Sequence, residues 1–369
     1  VVIDTYNYAE YLPQAIESAL DQDHTDVEVI VVDDGSTDGT PDVVARYDGR
    51  VTALRTPNRG QLAAFGTGFV ASRGEMVVFL DADDVLLPHA AGAITDAARS
   101  PVVAKVHWPM PEIDAVGKPI GRVRPTQALP SGDLTRQMCE LGPEGAAYPP
   151  TSGNAWRRSF LTEVLPGPVD EFRLAADQYL GVLAPFHGLV AALDAPQSLY
   201  RRHPTSVHSS ATLEERARIT NEHYSRSVAL LRAECERRGM DCAWATWEER
   251  SWTRRLERSL HELDALLPAG ASVVLMDQDE WALPVGGRWA PVPIPSRDGR
   301  YWGLPATGTD LVVELDGRRS DGATHLVVSD SAFWWLDAYP ELGEYLCARA
   351  ADLVSNDRYR LFRFDPVTT

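Results

Sequence analysis

Two apolar runs that end abruptly in carboxylates constrain this chain more than any other feature. Met76-Val77-Val78-Phe79-Leu80 leads into Asp81, Ala82, Asp83 and Asp84, and Glu28-Val29-Ile30-Val31-Val32 leads into Asp33, Asp34, Gly35 and Ser36. Their length and their Val and Phe content favour strands over helices. The acidic residues then stand at the strands' carboxyl ends. In open α/β sheets ligands bind there, because helices cover the faces and leave the crevice beyond the strand ends free. Asp81 and Asp83 have a spacing that a sharp turn converges on one hard divalent cation and, through it, on a diphosphate. The plainer alternative is an acidic turn that caps the next helix.

The surrounding sequence supplies the rest of such a sheet. Val1-Val2-Ile3 reads as a strand, Asp4 to Tyr8 as the turn leaving it, and Leu12, Ile16, Ala19 and Leu20 as the buried stripe of a helix with Pro13 in its first turn. Ser36, Thr37 and Asp38 are candidate caps for a helix through Val43, Val44 and Tyr47, and Val51 to Arg55 is a third strand. Gly60 to Ser72 reads as a helix carrying Gly66 and Gly68, which propensity disfavours, so close packing or close ligand approach is expected there. Alternating strands and helices of these lengths predict an α/β fold with a doubly wound, mostly parallel central sheet. Its carboxyl edge gathers Asp33, Asp34, Asp81, Asp83 and Asp84.

Four ordered stretches, Thr5-Tyr6-Asn7, Val32 to Thr40, Asn58-Arg59-Gly60-Gln61 and Gly74 to Asp84, together resemble the family 2 glycosyltransferases. The resemblance implies a GT-A nucleotide-sugar-binding domain that uses Mn²⁺ or Mg²⁺ and inverts the anomeric centre of a nucleoside-diphosphate sugar. By the same correspondence Thr5, Tyr6, Asn7, Asp33, Asp34, Gln61, Asp81, Ala82 and Asp83 belong to the donor site. Asp34 is implied at the nucleotide base, Asp81 near the ribose and diphosphate, and Asp83 at the metal. Asp4 stands where the family usually has Pro, and Phe65-Gly66 where many members have Arg-Asn.

Val102 to Trp108 is a further strand, followed by a Pro- and Gly-rich region to Pro130 that predicts turns and short strands. Thr151 to Arg158 is read as leading into a short helix; Trp156 in it is expected to pack in the core rather than to stack on a sugar. Asp177, in the stretch Asp170 to Leu180, matches the position of the family's catalytic base, which takes the acceptor proton; Asp170 and Glu171 are weaker candidates, and a helix-capping Asp177 is the alternative. Tyr200 to His208 resembles a mobile loop in which His203 would join the metal and Arg201 and Arg202 the diphosphate.

Three segments follow from these readings: a GT-A domain over residues 1–212, a helical connector over 213–267 and a small second α/β domain over 268–369. Thr212 and Glu215 form a capping box for a helix that Gly239 stops, and Thr246 and Glu249 open a second helix toward Leu267. The strands expected in the last segment are Ser272–Asp277, Asp310–Leu315, Thr324–Ser329 and Tyr359–Phe364. Trp281, Trp289, Trp302, Trp334 and Trp335 are read as packing residues, and Asp277-Gln278-Asp279 as a weak echo of the acidic turn.

With 35 Lys and Arg against 53 Asp and Glu, the net charge of −18 argues against a nucleic-acid partner. Cys139, Cys235, Cys242 and Cys347 show no Cys-x-x-Cys spacing and read as reduced thiols in a cytoplasmic protein, peripheral at a membrane at most; Cys235 and Cys242 could approach each other, though two unrelated thiols are the expectation. No transmembrane segment or signal peptide is apparent, and a few residues are expected to precede Val1. The expected partners are a nucleotide-sugar donor and a glycan, lipid-linked or small-molecule acceptor, with oligomerisation left open. A noncatalytic sugar-nucleotide-binding protein and a nucleotidyltransferase are the rival readings.

Overall fold

The computed structural model describes residues 1–203, 213–278, 280–281, 288–297, 300–301 and 303–366. Pro204 to His208 of the expected mobile loop, Thr212 of the first capping box, Asp279 and Trp302 lie outside them. The chain divides into two compact units, Val1–Pro204 with Glu222–Glu248, and Thr205–Asn221 with Glu249–Thr369.

The first unit begins with β1 (Val2–Thr5), α1 (Leu12–Leu20), β2 (Ile30–Asp33), α2 (Thr40–Ala45), β3 (Thr52–Arg55), α3 (Gln61–Ala71), β4 (Met76–Asp81), β5 (Val85–Leu86) and α4 (Ala90–Ala97). It continues with β6 (Val103–His107), β7 (Met110–Ile113), β8 (Pro119–Arg124), α5 (Thr135–Leu141), β9 (Asn154–Arg157), α6 (Arg158–Val164), α7 (Ala176–Leu183), β10 (Leu189–Ala192) and β11 (Ser198–Arg201). Among the described residues the main sheet has seven strands in the order β10-β6-β9-β4-β1-β2-β3. Every neighbouring pair is parallel except those of β9, which runs against both β4 and β6. A second sheet, β5-β11-β7-β8, borders it.

Apolar runs suit this sheet because both faces are covered. Ile3, Val31, Val78 and Leu80 pack on one face with Leu12 and Ile16 of α1. Val2, Ile30, Val32, Val77 and Phe79 alternate to the other, against Leu62 and Phe65 of α3 and Leu180 of α7. Phe65 lies flat on Phe79 with ring centroids 3.9 Å apart. The two helical glycines have a packing reason: a Cβ on Gly68 would overlap Val2, and one on Gly66 would touch Pro166. Trp156 is fully buried on β9, in the core as expected. The predicted helix near Arg158 is confirmed as α6, but Asn154–Arg157 ahead of it is strand, because its backbone pairs with both β4 and β6.

Helices α8 (Leu213–Arg238) and α9 (Trp244–Arg250) come next, and Gly239 ends α8 in the left-handed region with φ 64°. The second helix of the expected connector is two: Ser251 accepts a hydrogen bond from Arg254 N and starts α10 (Trp252–Leu266) afresh.

The second unit then carries β12 (Ser272–Met276), β13 (Ala290–Pro293), β14 (Ser296–Arg297), β15 (Arg300–Tyr301), α11 (Gly308–Ser320), β16 (His325–Ser329), α12 (Trp334–Ala338), α13 (Pro340–Arg349), β17 (Ala350–Ser355) and β18 (Tyr359–Phe364). Its sheet order is β13-β12-β16-β18-β17, parallel across β13-β12-β16 and antiparallel at β18. The strand expected at Asp310–Leu315 is instead part of α11. Thr307 caps Asp310 N, and Leu311 and Leu315, four apart, are the buried stripe of a helix.

Candidate active site

The register of the main sheet sets the acidic residues side by side. Asp4 on β1 is the register partner of Asp81 on β4, Thr5 of Asp33 on β2, and Asp33 of Arg55 on β3. After Asp81 the chain turns sharply, with Asp84 N donating to Asp81 O at 3.0 Å. One carboxylate oxygen each from Asp81, Asp83 and Asp84 then lies within 4.8 Å of the others. Asp4 Oδ1 and Asp84 Oδ2 are buried without hydrogen-bond partners. Loss of hydration pushes the Asp4 carboxyl up to about 8, with the charge of Asp83 adding to the effect. Burial first, and neighbouring carboxylates second, raise Asp81 and Asp84 as well.

Donors around this edge hold the acidic turn in place. Arg201 is almost fully buried: its backbone N donates to Asp84 Oδ1 at 2.9 Å, its Nε to Asp83 O at 2.7 Å and its Nη2 to Gln14 Oε1 at 2.7 Å. With Nη1 also on the Asp114 and Ala115 carbonyls, the guanidinium is engaged by the protein on every side. Arg202 lies 3.4 Å from the fully buried Glu112, which also accepts from Arg124 Nε at 2.6 Å. The His203 side chain is completely buried. Its Nε2 stands 2.9 Å from Asp83 Oδ2, and its ring packs on Tyr11 at 4.5 Å and edge-on to Tyr8 at 5.7 Å.

The loops that follow β1 and β2 are held by hydrogen bonds to one another. Asn7 has φ 61° and accepts from Thr37 N at 2.7 Å, while Asn7 N donates to Ser36 Oγ at 2.9 Å. Asp33 Oδ1 accepts from Ser36 N at 2.8 Å, and its Oδ2 is 3.4 Å from Arg55 Nε. Asp34 accepts from Arg59 N at 3.0 Å, Gly60 N at 2.7 Å and the Thr56 hydroxyl at 3.2 Å. A carboxylate offers about four lone pairs, so Asp34 has a loop-holding task beside the base contact that the resemblance implies. Gly60 has φ 89°, and any side chain there would run into Arg173. Thr5 and Ala82 are buried, whereas Tyr6 is exposed.

Gln61 ties this edge to Asp177. Its Nε2 donates to Asp81 Oδ1 at 2.9 Å, and its Oε1 accepts from Ala176 N at 3.4 Å at the start of α7. Asp177 sits in the first turn of that helix without capping it; it accepts from Gln178 N at 2.9 Å. Burial raises its carboxyl, opposed by the charge of Lys105. Lys105 is buried on β6 with its ammonium 5.0 Å from the Trp156 ring centroid and 5.4 Å from that of Tyr148. Desolvation brings it down to about 7. Asp170 and Glu171 lie in the turn before α7, with Glu171 O accepting from Arg226 at 2.7 Å.

Sequence reasoning therefore missed Asp4 as a member of the acidic edge, Lys105 beneath the base candidate, and Ser152, whose Oγ accepts from Asp81 N at 3.0 Å. Two had a signal: Asp4 is the departure from the expected Pro, and Lys105 is a lone cation inside an apolar strand.

Residues 1–138 match the family model described as Glycosyl transferase family 2. An uncharacterized glycosyltransferase of Nostoc sp. is 36% identical over 233 residues, covering 62% of this chain and 70% of that relative. The chain belongs to the family 2 glycosyltransferases. The succinoglycan biosynthesis protein ExoO of Rhizobium meliloti is 45% identical to this glycosyltransferase over 89 residues, 24% of this chain and 26% of ExoO. Among solved structures, the mannosyltransferase PcManGT from Pyrobaculum calidifontis, in complex with GDP-Man and Mn²⁺, covers 73% of this chain and 75% of its own at 19% identity with a TM-score of 0.48. Among the described residues of the glycosyltransferase, no helix is long and apolar enough to cross a membrane.

Proposed function

We propose that this glycosyltransferase moves a sugar from a nucleoside-diphosphate sugar to an acceptor hydroxyl or amine, with inversion at the anomeric carbon and with Mn²⁺ or Mg²⁺ as cofactor. The observation that carries the reading is the acidic edge, where carboxylates from β1 and the turn after β4 converge with two buried oxygens left unpartnered. Like charges so placed favour a hard cation, and a donor set of carboxylate oxygens with one imidazole suits it. Asp83 and His203 are the residues that would hold it. When bound, such an ion neutralises the charge that develops on a diphosphate leaving group.

The protein's own residues do the rest. Asp177 takes the proton from the acceptor as the new bond forms, and its raised carboxyl places it nearer the working pH than an ordinary aspartate. Gln61 keeps Asp81 and the first turn of α7 in fixed relation, so that donor and base stay aligned. Arg201 acts by fixing the turn that carries Asp83 and Asp84, and Arg202 is proposed to face the diphosphate. Thr5, Tyr6, Asn7, Asp33, Asp34 and Ala82 shape the nucleotide side. The acceptor is a glycan, a lipid-linked sugar or a small molecule met at the cytoplasmic side.

The test is a panel of nucleotide sugars with and without Mn²⁺, reading nucleoside diphosphate release and the anomeric configuration of the product. Release of nucleoside diphosphate with an inverted product is expected, and only with the metal. Pyrophosphate release, or a retained anomer, overturns the reading.

A further inference from the structure

Away from the acidic edge, three of the four cysteines meet in the first unit, against the expectation of unrelated thiols. Cys139 lies on α5, Cys235 near the end of α8, and Cys242 in the turn between α8 and α9. Cys235 Sγ is 2.8 Å from Cys242 Sγ and 3.7 Å from Cys139 Sγ, and all three sulfurs lie within 4.8 Å of one another. The backbone is arranged to bring them there. Gly239 reverses the chain, Met240 N donates back to Cys235 O at 2.9 Å, and Cys139 O accepts from Ala243 N at 3.0 Å and from Trp247 Nε1 at 3.1 Å.

The Cys235–Cys242 contact of 2.8 Å is closer than packing or a thiol hydrogen bond explains. Even carbon atoms, which are smaller than sulfur, pack best at ~3.5–4.0 Å, and thiols are weak donors and weak acceptors. The shell around the sulfurs, with Leu134, Met138, Val182, Leu231 and Trp247, is buried and apolar. We propose that Cys139, Cys235 and Cys242 form a structural site for one thiophilic d¹⁰ cation, Zn²⁺ or Cu⁺, which fastens the turn after α8 onto α5. Thiolates select these ions over the hard cations suited to the acidic edge. A Zn–S bond of about 2.3 Å puts sulfurs ~3.8 Å apart around a tetrahedral ion, near the Cys139–Cys235 separation of 3.7 Å. The closer pair opens by about 1 Å to join them. On binding, three S–H bonds break, three sulfur–metal bonds form and three protons leave to water, with no change of oxidation state.

The experiment uses the full chain purified without added metal, alongside Asp83→Asn so that the carboxylate site does not contribute. Elemental analysis is expected to find about one equivalent of zinc or copper per chain, and its identity tells the two ions apart. Exchange with Co²⁺ is expected to give near-ultraviolet thiolate-to-metal absorption that Cys242→Ser loses. If Cys242→Ser does not fold, metal content and the Co²⁺ spectrum of Asp83→Asn alone decide. The absence of both metal and that absorption overturns the proposal. In that event a mass lower by about 2 units with two thiols gone identifies a Cys235–Cys242 disulfide, and four free thiols in denaturant identify plain cysteines.

Discussion

Strands β4 and β12 are both apolar, both have a parallel neighbour and both lead into an aspartate at the carboxyl end, yet they end differently. At β4 the register delivers Asp4 beside Asp81, the turn adds Asp83 and Asp84, and two of the oxygens stay unpartnered. At β12 the aspartate is Asp277, buried, with Oδ2 accepting from Trp281 N at 3.0 Å and its carbonyl accepting from the Ser331 hydroxyl at 3.0 Å. Gln278 then takes φ 53° and leads the chain away. An acidic strand end becomes a site only when neighbouring strands contribute further carboxylates and the local backbone leaves them unspent. A single aspartate used up in its own turn is a structural device.

The comparison can be broken by mutation. The largest effect is expected at the base: Asp177→Asn should lower kcat by roughly 10²–10⁴-fold with little change in donor KM, as steady-state kinetics would read. Wild-type turnover there removes Asp177 from the mechanism. Gln61→Ala should lower kcat/KM about tenfold, the scale of one or two lost hydrogen bonds, because Asp81 and α7 lose their link. At the other strand end, Asp277→Ala should leave transfer unchanged while costing about 1–3 kcal/mol of stability for the unpaired Trp281 amide, read from denaturant midpoints. Loss of transfer in that variant would erase the distinction between the two ends.

Much of the first strand end was legible in sequence. The repeated pattern of an apolar run followed by Asp identified β2 and β4, and the alternation of strand and helix predicted the sheet. What was not legible depends on which strands become neighbours. The pairing of Asp4 with Asp81 follows from strand order, which joins residues 77 positions apart. The reversed β9 was read as the lead into a helix because its four residues carry no period long enough to tell the two apart. Asp310–Leu315 misled for the opposite reason: Leu-Val-Val favours strand locally, and the Thr307 cap and the burial of Leu311 and Leu315 override it. In the cysteine cluster the approach of Cys235 and Cys242, seven residues apart, could be entertained from sequence, but nothing local announces that Cys139 joins them.

A smaller effect sharpens the account of the acidic edge. Asp4 is raised from 3.8 to about 8 in the folded chain, so between those values the native state holds a proton that the unfolded state has released. Without metal, stability should therefore fall as pH rises from about 4 to about 8, and Asp4→Asn should flatten that slope in melting curves taken across the range. A slope unchanged by Asp4→Asn would place the strain on Asp81 and Asp84 instead.

The reversed direction of β9 has a consequence for how this enzyme tolerates change. Because it runs against β4 and β6, the segment entering it reaches the carboxyl edge, as the hydrogen bond from Asp81 N to Ser152 shows. The segment leaving it turns at the far end into α6. Extra residues inserted ahead of Thr151 would thus remodel the rim of the acidic edge, whereas the same insertion at the junction of Arg157 and Arg158 would fall at the opposite end of the sheet, beside Glu75 and Met76.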